Sequence, residues 1–329
     1  MTMNIPPKDF IRVPHEPLRR FVHAAFEKVS LTSEDAALIA QLLVSNDLRG
    51  VWSHGTQQVP SYLNHFMRGG LNPRPDVKIV NESPTTLTID GDGGLGYFAA
   101  YRSAIEIIPK AHAQGVGVAT TRNHGHIGAA GLYSRIIVQS DLIAWVTSGH
   151  QTKFTPEGNL FEAAGGSPHS FAVPVDEDQP PIVLDFGAMH DLYSNSPHRM
   201  NIFDLAPGIV FRSIGLGVLC QTLGGLLCGI PADPNRASQT WKGANQGSFI
   251  VAVDPSRFMP LDAFKRETSE YVHRAGALKP LPGYERAELP GGPEWRREQE
   301  STRDGIPIGP GHQAALRKVA DEFGLTPPF

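Results

Sequence analysis

Residues 85–128 read TTLTIDGDGGLGYFAAYRSAIEIIPKAHAQGVGVATTRNHGHIG, and this stretch decides the fold class. A β-rich run at 85–90 is followed by a glycine turn, a helical stretch at 98–114 and a second β-rich run at 116–121. Alternation of strands and helices is typical of an α/β layer structure. We therefore predict an α/β fold around this segment.

Helical stretches and β-rich runs continue after this segment, whereas the residues before Val77 are predicted to be helical. A second helical stretch is predicted at 129–140, residues 187–207 are predicted to be a loop, and 209–228 is predicted to be an apolar helix. Residues 17–48 predict two helices, the first with Leu18, Phe21, Val22 and Phe26 on one face. Thr32 with Asp35 resembles a capping box that opens the second helix. A third helix starts near Ser53 and stops at Gly69-Gly70. Further β-rich runs are VKIV (77–80), LIAWVTS (142–148), SFAVPV (170–175), PIVLDF (181–186) and GSFIVAVD (247–254).

The glycine turn literally satisfies the dinucleotide fingerprint as Gly91-x-Gly93-x-x-Gly96. A Rossmann domain also needs an acidic residue about 20 positions on to hold the ribose, and the next strand ends at Arg122 instead. Asp92 would also place a negative charge where a pyrophosphate approaches. Alternating Asp90 and Asp92 suggest calcium, but no ligand ladder follows them. The pattern favours a tight structural turn in which glycine supplies positive φ angles.

Composition excludes several classes of function. The 329 residues include 29 Lys plus Arg against 33 Asp plus Glu, a net charge of −4, and no basic run interleaved with aromatic residues. We therefore expect no nucleic-acid partner. Charges and prolines near the N-terminus argue against a secretory signal, and the apolar stretch 214–230 is interrupted by polar residues and glycines, which favours a buried helix over a membrane span. Cys220 and Cys228 lack zinc-site spacing and predict buried free thiols, so we expect a cytoplasmic protein.

Thirteen histidines are present, and three glycine-flanked segments carry several of them. Imidazole titrates near neutral pH and transfers protons in either direction, so such clusters indicate acid–base chemistry. His124 and His126 alternate in a turn without a nearby carboxylate, and we expect no metal site there. The three segments are Ser53-His54-Gly55, 123–128 and Ser148-Gly149-His150.

Several spaced motifs, in one order, resemble the type-2 malate/L-lactate dehydrogenase family. That family includes reductases of 2-oxo acids, cyclic 2-imino acids, sulfolactate and ureidoglycolate. The resemblance covers roughly residues 15–325. Besides residues 90–134, its motifs are RGVWSHGTQQVPSYLNHFMRGGLNP (49–73), AAGGSPHSFAVP (163–174), PIVLDF (181–186), FRSIGLGVLCQTLGGLLCGI (211–230) and LPGGPEW (289–295) through RDGIPI (303–308).

The resemblance implies a non-Rossmann fold with a helical domain built from both chain ends, here 1–75 with 290–329. It implies an α/β domain at 76–289 that carries the cofactor and substrate cleft. NAD or NADP is the implied cofactor, a small molecule is the substrate, and a homodimer with active sites near the subunit interface is the implied assembly.

Site residues are carried over position by position. His54 falls on the family's proton donor to the substrate carbonyl or imine, and His126 on its second active-site histidine, with Ser53 as the third catalytic candidate. The implied substrate-binding residues are Gln58, Tyr62, His124 and Ser148. The implied cofactor-binding residues are His150, Ile182, Asp185, Gly187, Phe211, Arg212, Gly291 and Gly292.

This sequence departs from the family pattern at positions to which the resemblance assigns substrate and cofactor binding. Gln58 occupies the position of an arginine that would clamp a substrate carboxylate, and Arg212 occupies the position of a lysine. The family's long segment between PIVLDF and the following helix is shortened to residues 188–208. These departures keep three hypotheses in view: a nicotinamide-dependent oxidoreductase, a cofactor-independent isomerase, lyase or hydrolase that uses the histidines, and a non-catalytic homologue.

Overall fold

A computed structural model describes residues 6–176 and 179–329 of the chain. Two compact units divide it, Met1–Pro75 with Gly291–Phe329 and Asp76–Pro290. The strands are β1 (Ile11–Val13), β2 (Lys78–Glu82), β3 (Thr86–Asp90), β4 (Val116–His124), β5 (Ile143–His150), β6 (Pro168–Val173), β7 (Ile182–Gly187), β8 (Gln246–Val253) and β9 (Ile306–Ile308). The α-helices are α1 (His15–Glu27), α2 (Ser33–Leu48), α3 (Val59–Met67), α4 (Gly96–Gln114), α5 (Gly131–Val138), α6 (Arg199–Leu205), α7 (Pro207–Gln221), α8 (Leu261–Gly276), α9 (Gly292–Asp304) and α10 (Pro310–Phe323).

The first unit is helical and joins the two ends of the chain. β1 pairs antiparallel with β9, so that Val13 lies opposite Ile306. The start of α2 confirms a predicted capping box: Asp35 N donates to Thr32 Oγ1 at 3.1 Å, and Thr32 Oγ1 donates to Asp35 Oδ2 at 2.7 Å. The first of these bonds satisfies the Asp35 N–H, one of the backbone donors that a helix start leaves unpaired.

The second unit is built on a seven-stranded sheet in the order β2-β3-β4-β8-β5-β6-β7. In the described chain β3 and β4 are the only parallel neighbours, and the other pairs are antiparallel. Ile89, Ala119, Val146 and Ile250 are fully buried side chains of this sheet. A mostly antiparallel sheet excludes the doubly wound parallel arrangement of a Rossmann domain and agrees with the predicted non-Rossmann α/β class.

Two predictions of local structure were wrong. The third helix begins at Val59, after two short 3₁₀ turns at Trp52–His54 and Thr56–Gln58, because Pro60 in the first helical turn suits a helix start. The predicted loop at 187–207 contains a 3₁₀ turn and α6. The Pro- and Gly-rich stretch 276–311 contains α9, which begins directly after Gly291 at φ +98°.

The apolar helix predicted at 209–228, whose part from residue 214 onward was expected to be buried, is α7 followed by a π-helical turn at Thr222–Leu226. Val210 and Ile214 pack into a small core with Ala164, Met189 and Leu192. The opposite face is exposed, so the prediction of a buried helix was wrong for that face. By length and composition alone, Pro207–Leu226 would also qualify as a membrane span, a test that core helices of soluble proteins pass as well.

Candidate active site

The Ser53-His54 pair lies in a short turn between α2 and α3. Ser53 Oγ is hydrogen-bonded to His54 Nδ1 at 3.0 Å, which orients the imidazole ring. Gln58 Nε2 donates to Ser53 O at 2.7 Å, so the amide that stands in place of the family arginine braces this turn from within. Ser53 is exposed and His54 is half-buried. The turn therefore presents a hydroxyl and an imidazole from a fixed backbone.

The end of α2 fixes that backbone on both sides of His54. Asn46 Nδ2 donates to His54 O at 2.8 Å. Asp47 Oδ2 accepts from Thr56 N at 3.1 Å and from Thr56 Oγ1 at 2.5 Å. Between these anchors only glycine fits at position 55, since a Cβ there would lie 1.8 Å from Asp47 Oδ1. Close packing against Asp47 therefore requires glycine at the third position of the Ser-His-Gly motif.

Asp47 is an unusual carboxyl group. It is fully buried, and burial raises its pKa from 3.8 to about 7. Its Oδ1 has no hydrogen-bond partner among the described residues. Thr56 Oγ1 continues the contacts to His312 Nε2 at 2.8 Å, and burial lowers the pKa of His312 to about 4, which keeps that imidazole neutral near pH 7.

The segment 123–128 holds the second pair of candidate histidines. His124 is fully buried, its Nε2 lies 2.6 Å from Thr121 Oγ1, and its Nδ1 lies 2.7 Å from Gly125 O. Burial lowers the pKa of His124 to about 4. Both ring nitrogens are engaged within the fold, which favours a role in holding the turn over the expected contact with substrate. His126 is half-buried, and its carbonyl accepts from Gly96 N at 3.1 Å.

The glycine turn at 91–96 is held together by its own carboxylate. Asp90 Oδ1 accepts from Asp92 N at 3.0 Å and from Asn123 Nδ2 at 2.8 Å, while Asp90 Oδ2 accepts from Arg122 Nε at 3.1 Å. A Cβ on Gly93, at φ +79°, would lie 2.1 Å from the Trp241 ring. Through these contacts Asp90 and Gly93 stabilise the turn itself.

The end of β5 carries Ser148 and His150. Ser148 is buried, and its Oγ donates to Gly247 O at 2.7 Å, so its hydroxyl is committed inside the sheet rather than presented to a substrate as expected. His150 N donates to Gln221 Oε1 at 3.1 Å, and burial lowers the pKa of the His150 ring. The π-helical turn packs closely here, since a Cβ on Gly149 would lie 2.6 Å from Gly225 N.

Besides His150 on β5, the expected cofactor residues fall on three elements. Ile182, Asp185 and Gly187 are on β7, a strand at the edge of the sheet. Phe211 and Arg212 are exposed on α7. Gly291 and Gly292 belong to the other compact unit, at the start of α9. The division into units also assigns Ser53, His54, Gln58 and Tyr62 to the helical unit, with Tyr62 buried on α3.

The two cysteines are buried free thiols, which confirms their predicted burial. Burial raises the pKa of Cys220 to about 11 and that of Cys228 to about 12, so both are poor nucleophiles near neutral pH. Cys220 Sγ lies 3.2 Å from His169 Nε2. Trp145 Nε1 donates to His169 Nδ1 at 3.3 Å, so Nδ1 is an acceptor and the proton of the neutral ring is on Nε2. Since Nε2 carries this proton, the neutral ring is not placed to act as a base for the Cys220 thiol. Within residues 6–176 and 179–329, no group of three or more His, Cys, Asp or Glu side chains is arranged to hold a metal ion.

Sequence reasoning missed the buried residues that support His54, namely Asn46, Asp47, Thr56 and His312. One signal was present in the sequence. Asp47 continues the buried face of α2 formed by Ala36, Ala40 and Leu43, at helical spacing. A carboxylate in an apolar stripe indicates a buried acid with a specific partner.

Comparison with known proteins identifies the family. The model for the malate/L-lactate dehydrogenase family matches residues 13–189 and 200–317, and the chain belongs to that family. It is 26% identical to malate dehydrogenase of Pyrococcus horikoshii over 97% of each chain, and the solved structure of that enzyme superposes with a TM-score of 0.85 over 98% of each chain. It is 27% identical to L-sulfolactate dehydrogenase of Methanocaldococcus jannaschii over 94% of this chain and 96% of the relative. Ureidoglycolate dehydrogenase (NAD(+)) of Escherichia coli is 24% identical over 91% of this chain and 93% of the relative.

The family match is interrupted between residues 189 and 200. This gap lies inside residues 188–208, the segment described above as shortened relative to the family. Here Tyr193 Oη donates to Gly166 O at 2.7 Å, and the Arg199 guanidinium lies 3.8 Å from the Phe161 ring centre. The shortened segment is therefore tied to residues 159–166 by contacts of its own.

Proposed function

We propose that this protein is a nicotinamide-dependent oxidoreductase that reduces the C=O or C=N bond of a small 2-oxo or 2-imino acid, or catalyses the reverse oxidation. The observation that carries the proposal is the family match over most of the chain, which includes the Ser53-His54 turn. The named relatives are dehydrogenases of malate, L-sulfolactate and ureidoglycolate.

His54 is the proposed proton donor to the substrate oxygen or nitrogen. The contact of its Nδ1 with Ser53 Oγ at 3.0 Å orients the ring, and proton transfer requires such a group within hydrogen-bond reach of the reacting atom. His126 and Tyr62 are the further groups that we assign to the substrate. In the oxidation direction, His54 accepts the hydroxyl proton.

The proposed substrate is bound without an arginine at position 58. Gln58 supplies no charge, and its amide is used to hold Ser53 O at 2.7 Å. A bidentate arginine–carboxylate pair is stronger than a neutral hydrogen bond, so we expect a substrate whose carboxylate is bound elsewhere or replaced by a neutral group.

The α/β unit has groups that fit a dinucleotide. Arg212 is exposed and can pair with a phosphate, and Phe211 exposes 57% of its surface. Gly166 leaves its backbone approachable, because a Cβ built there meets no atom within 4 Å. When bound, the nicotinamide cofactor supplies or accepts the hydride. NAD is the first choice because one relative is named as NAD(+)-dependent, and NADP is the alternative.

A homodimer is the proposed assembly. Apart from Arg212, the exposed side chains of α7 and of the turn after it are mostly apolar, and a group of exposed apolar side chains marks an interface in a soluble protein. Its residues are Ile209, Phe211, Val218, Leu219, Leu226 and Leu227. Light scattering should give twice the monomer mass of 35.7 kDa, and Leu219→Asp should shift the mass to that of the monomer. A monomeric wild-type protein would contradict the assembly.

Two buried free thiols suit a reducing cytoplasm, which is the proposed location.

Titration with NADH and with NADPH tests the main proposal, followed by oxidation assays with malate, L-sulfolactate and ureidoglycolate. His54→Ala should abolish turnover and leave cofactor affinity nearly unchanged. Gln58→Arg should favour substrates that carry a free carboxylate next to the reacting carbon. Absence of binding by either cofactor at millimolar concentration would refute the proposal.

A further inference from the structure

A chain of three buried side chains lies behind the Ser53-His54 turn. Asp47, Thr56 and His312 come from α2, from the second 3₁₀ turn and from α10, and each exposes 5% of its surface or less. Thr56 Oγ1 is at its centre, 2.5 Å from Asp47 Oδ2 and 2.8 Å from His312 Nε2. None of the three is assigned to the substrate or cofactor above.

We propose that Asp47, Thr56 and His312 are positioning residues that hold His54 in the orientation needed for proton transfer. The inference rests on the proposed role of His54 as proton donor. Asn46 holds His54 O at 2.8 Å, and the three-residue chain holds Thr56 two positions further on. The backbone between these anchors cannot shift without breaking buried hydrogen bonds, which is costly because the freed groups have no water to bind.

The hydrogen-bonded chain of Asp47, Thr56 and His312 is complete in either protonation state of Asp47. When Asp47 is ionised, Thr56 Oγ1–H donates to Oδ2, and the Nε2–H of His312 donates to Thr56 Oγ1. When Asp47 carries a proton on Oδ2, it donates to Thr56 Oγ1, and Thr56 donates to Nε2 of His312, whose single proton is then on Nδ1. The threonine hydroxyl is required in both states, since it is the group that links the other two.

Thr56→Val removes that hydroxyl at nearly constant shape, and Thr56→Ser restores it. The probe is the His54 signal in ¹H–¹³C spectra of histidine-labelled protein, assigned by its loss in His54→Gln. Thr56→Val should move the His54 signal and its titration midpoint, while Thr56→Ser should keep both. Thr32→Ala, which removes the cap at the other end of α2, is the control for general destabilisation and should also keep both.

Turnover gives a second reading. Thr56→Val should lower kcat by about tenfold or more, because small misplacement of a reacting group is costly, and leave the Kd for NADH unchanged. A folded Thr56→Val whose His54 signal and titration match the wild type would overturn the inference. Should Thr56→Val fail to fold, His312→Phe breaks the chain at its other end and is judged in the same way. A wild-type protein that binds no NADH would refute the proposed function. The ¹H–¹³C spectra need no cofactor, so they would still decide whether the hydrogen-bonded chain of Asp47, Thr56 and His312 holds His54.

Discussion

The buried carboxyl group of Asp47 should make the folded protein less stable as the pH rises. Burial raises its pKa from 3.8 to about 7, because little in its surroundings besides Thr56 compensates the loss of water. Its position in the last turn of α2 adds to this effect, since the carboxyl end of a helix disfavours negative charge. Between these two pKa values the folded state keeps a proton that the unfolded state has released. The free energy of unfolding therefore falls as the pH increases.

The size of the effect follows from the two pKa values, 3.8 unfolded and about 7 folded. By linkage, protonation of Asp47 contributes about 3 kcal/mol to the free energy of unfolding at pH 5 and about 0 at pH 8, relative to the fully ionised state. Asp47→Asn cannot ionise and lacks this dependence. The stability of the wild type relative to the variant should therefore fall by about 2–3 kcal/mol between these two pH values.

Urea unfolding followed by circular dichroism at pH 5 and pH 8 measures this difference. Subtracting the variant from the wild type cancels the titration of the other groups that the two proteins share. Asp262→Asn, which removes an exposed carboxyl in the first turn of α8, is the matched control and should differ from the wild type equally at both pH values. A wild-type advantage over Asp47→Asn that does not change with pH would show that Asp47 is ionised throughout the range, and would refute the reasoning.

Three further predictions follow from single contacts. Gly55→Ala should lower the free energy of unfolding by about 1–3 kcal/mol or more, because its Cβ would lie 1.8 Å from Asp47 Oδ1, and a melting temperature equal to that of the wild type would contradict this packing. Thr32→Ala should cost about 1 kcal/mol in urea unfolding by removing the α2 cap, and Thr32→Ser should recover most of it; equal losses in both variants would argue against the cap. Cys220 and Cys228, with pKa values of about 11 and 12, should not react with a disulfide reagent at pH 8 until the protein is unfolded, so rapid labelling of the native protein would contradict their burial.

The fold could be predicted from the sequence where local pattern and burial agree. Thr32 and Asp35 predicted the start of α2, and Leu18, Phe21, Val22 and Phe26 predicted the buried face of α1, because each is fixed by contacts within a few residues. α7 shows the limit of this reasoning. Its apolar residues surround the helix, so composition could not distinguish the face that packs through Val210 and Ile214 from the face that is exposed.

The candidate site was predictable only in its chemistry-bearing residues. Ser53 and His54 are recognisable from a motif, whereas Ser148 and His124 look equally suitable in the sequence and are buried with their polar atoms engaged. Whether a polar side chain points to solvent or into the sheet depends on strand register and on neighbours far along the chain. Ser148, for example, is committed by Gly247, on β8.

The support of His54 depends on the most distant parts of the chain. Thr56 and His312 are 256 positions apart, and α10 follows β9, which pairs with β1 at the beginning of the described chain. Joining both chain ends in one helical unit is therefore what brings a neutral histidine to the back of the Ser53-His54 turn. Since α10 contributes no group that we assign to substrate or cofactor, its connection to the chemistry runs through Thr56 and Asp47 alone in our proposal. That connection gives a helix near the end of the sequence a role in the orientation of a residue near its beginning.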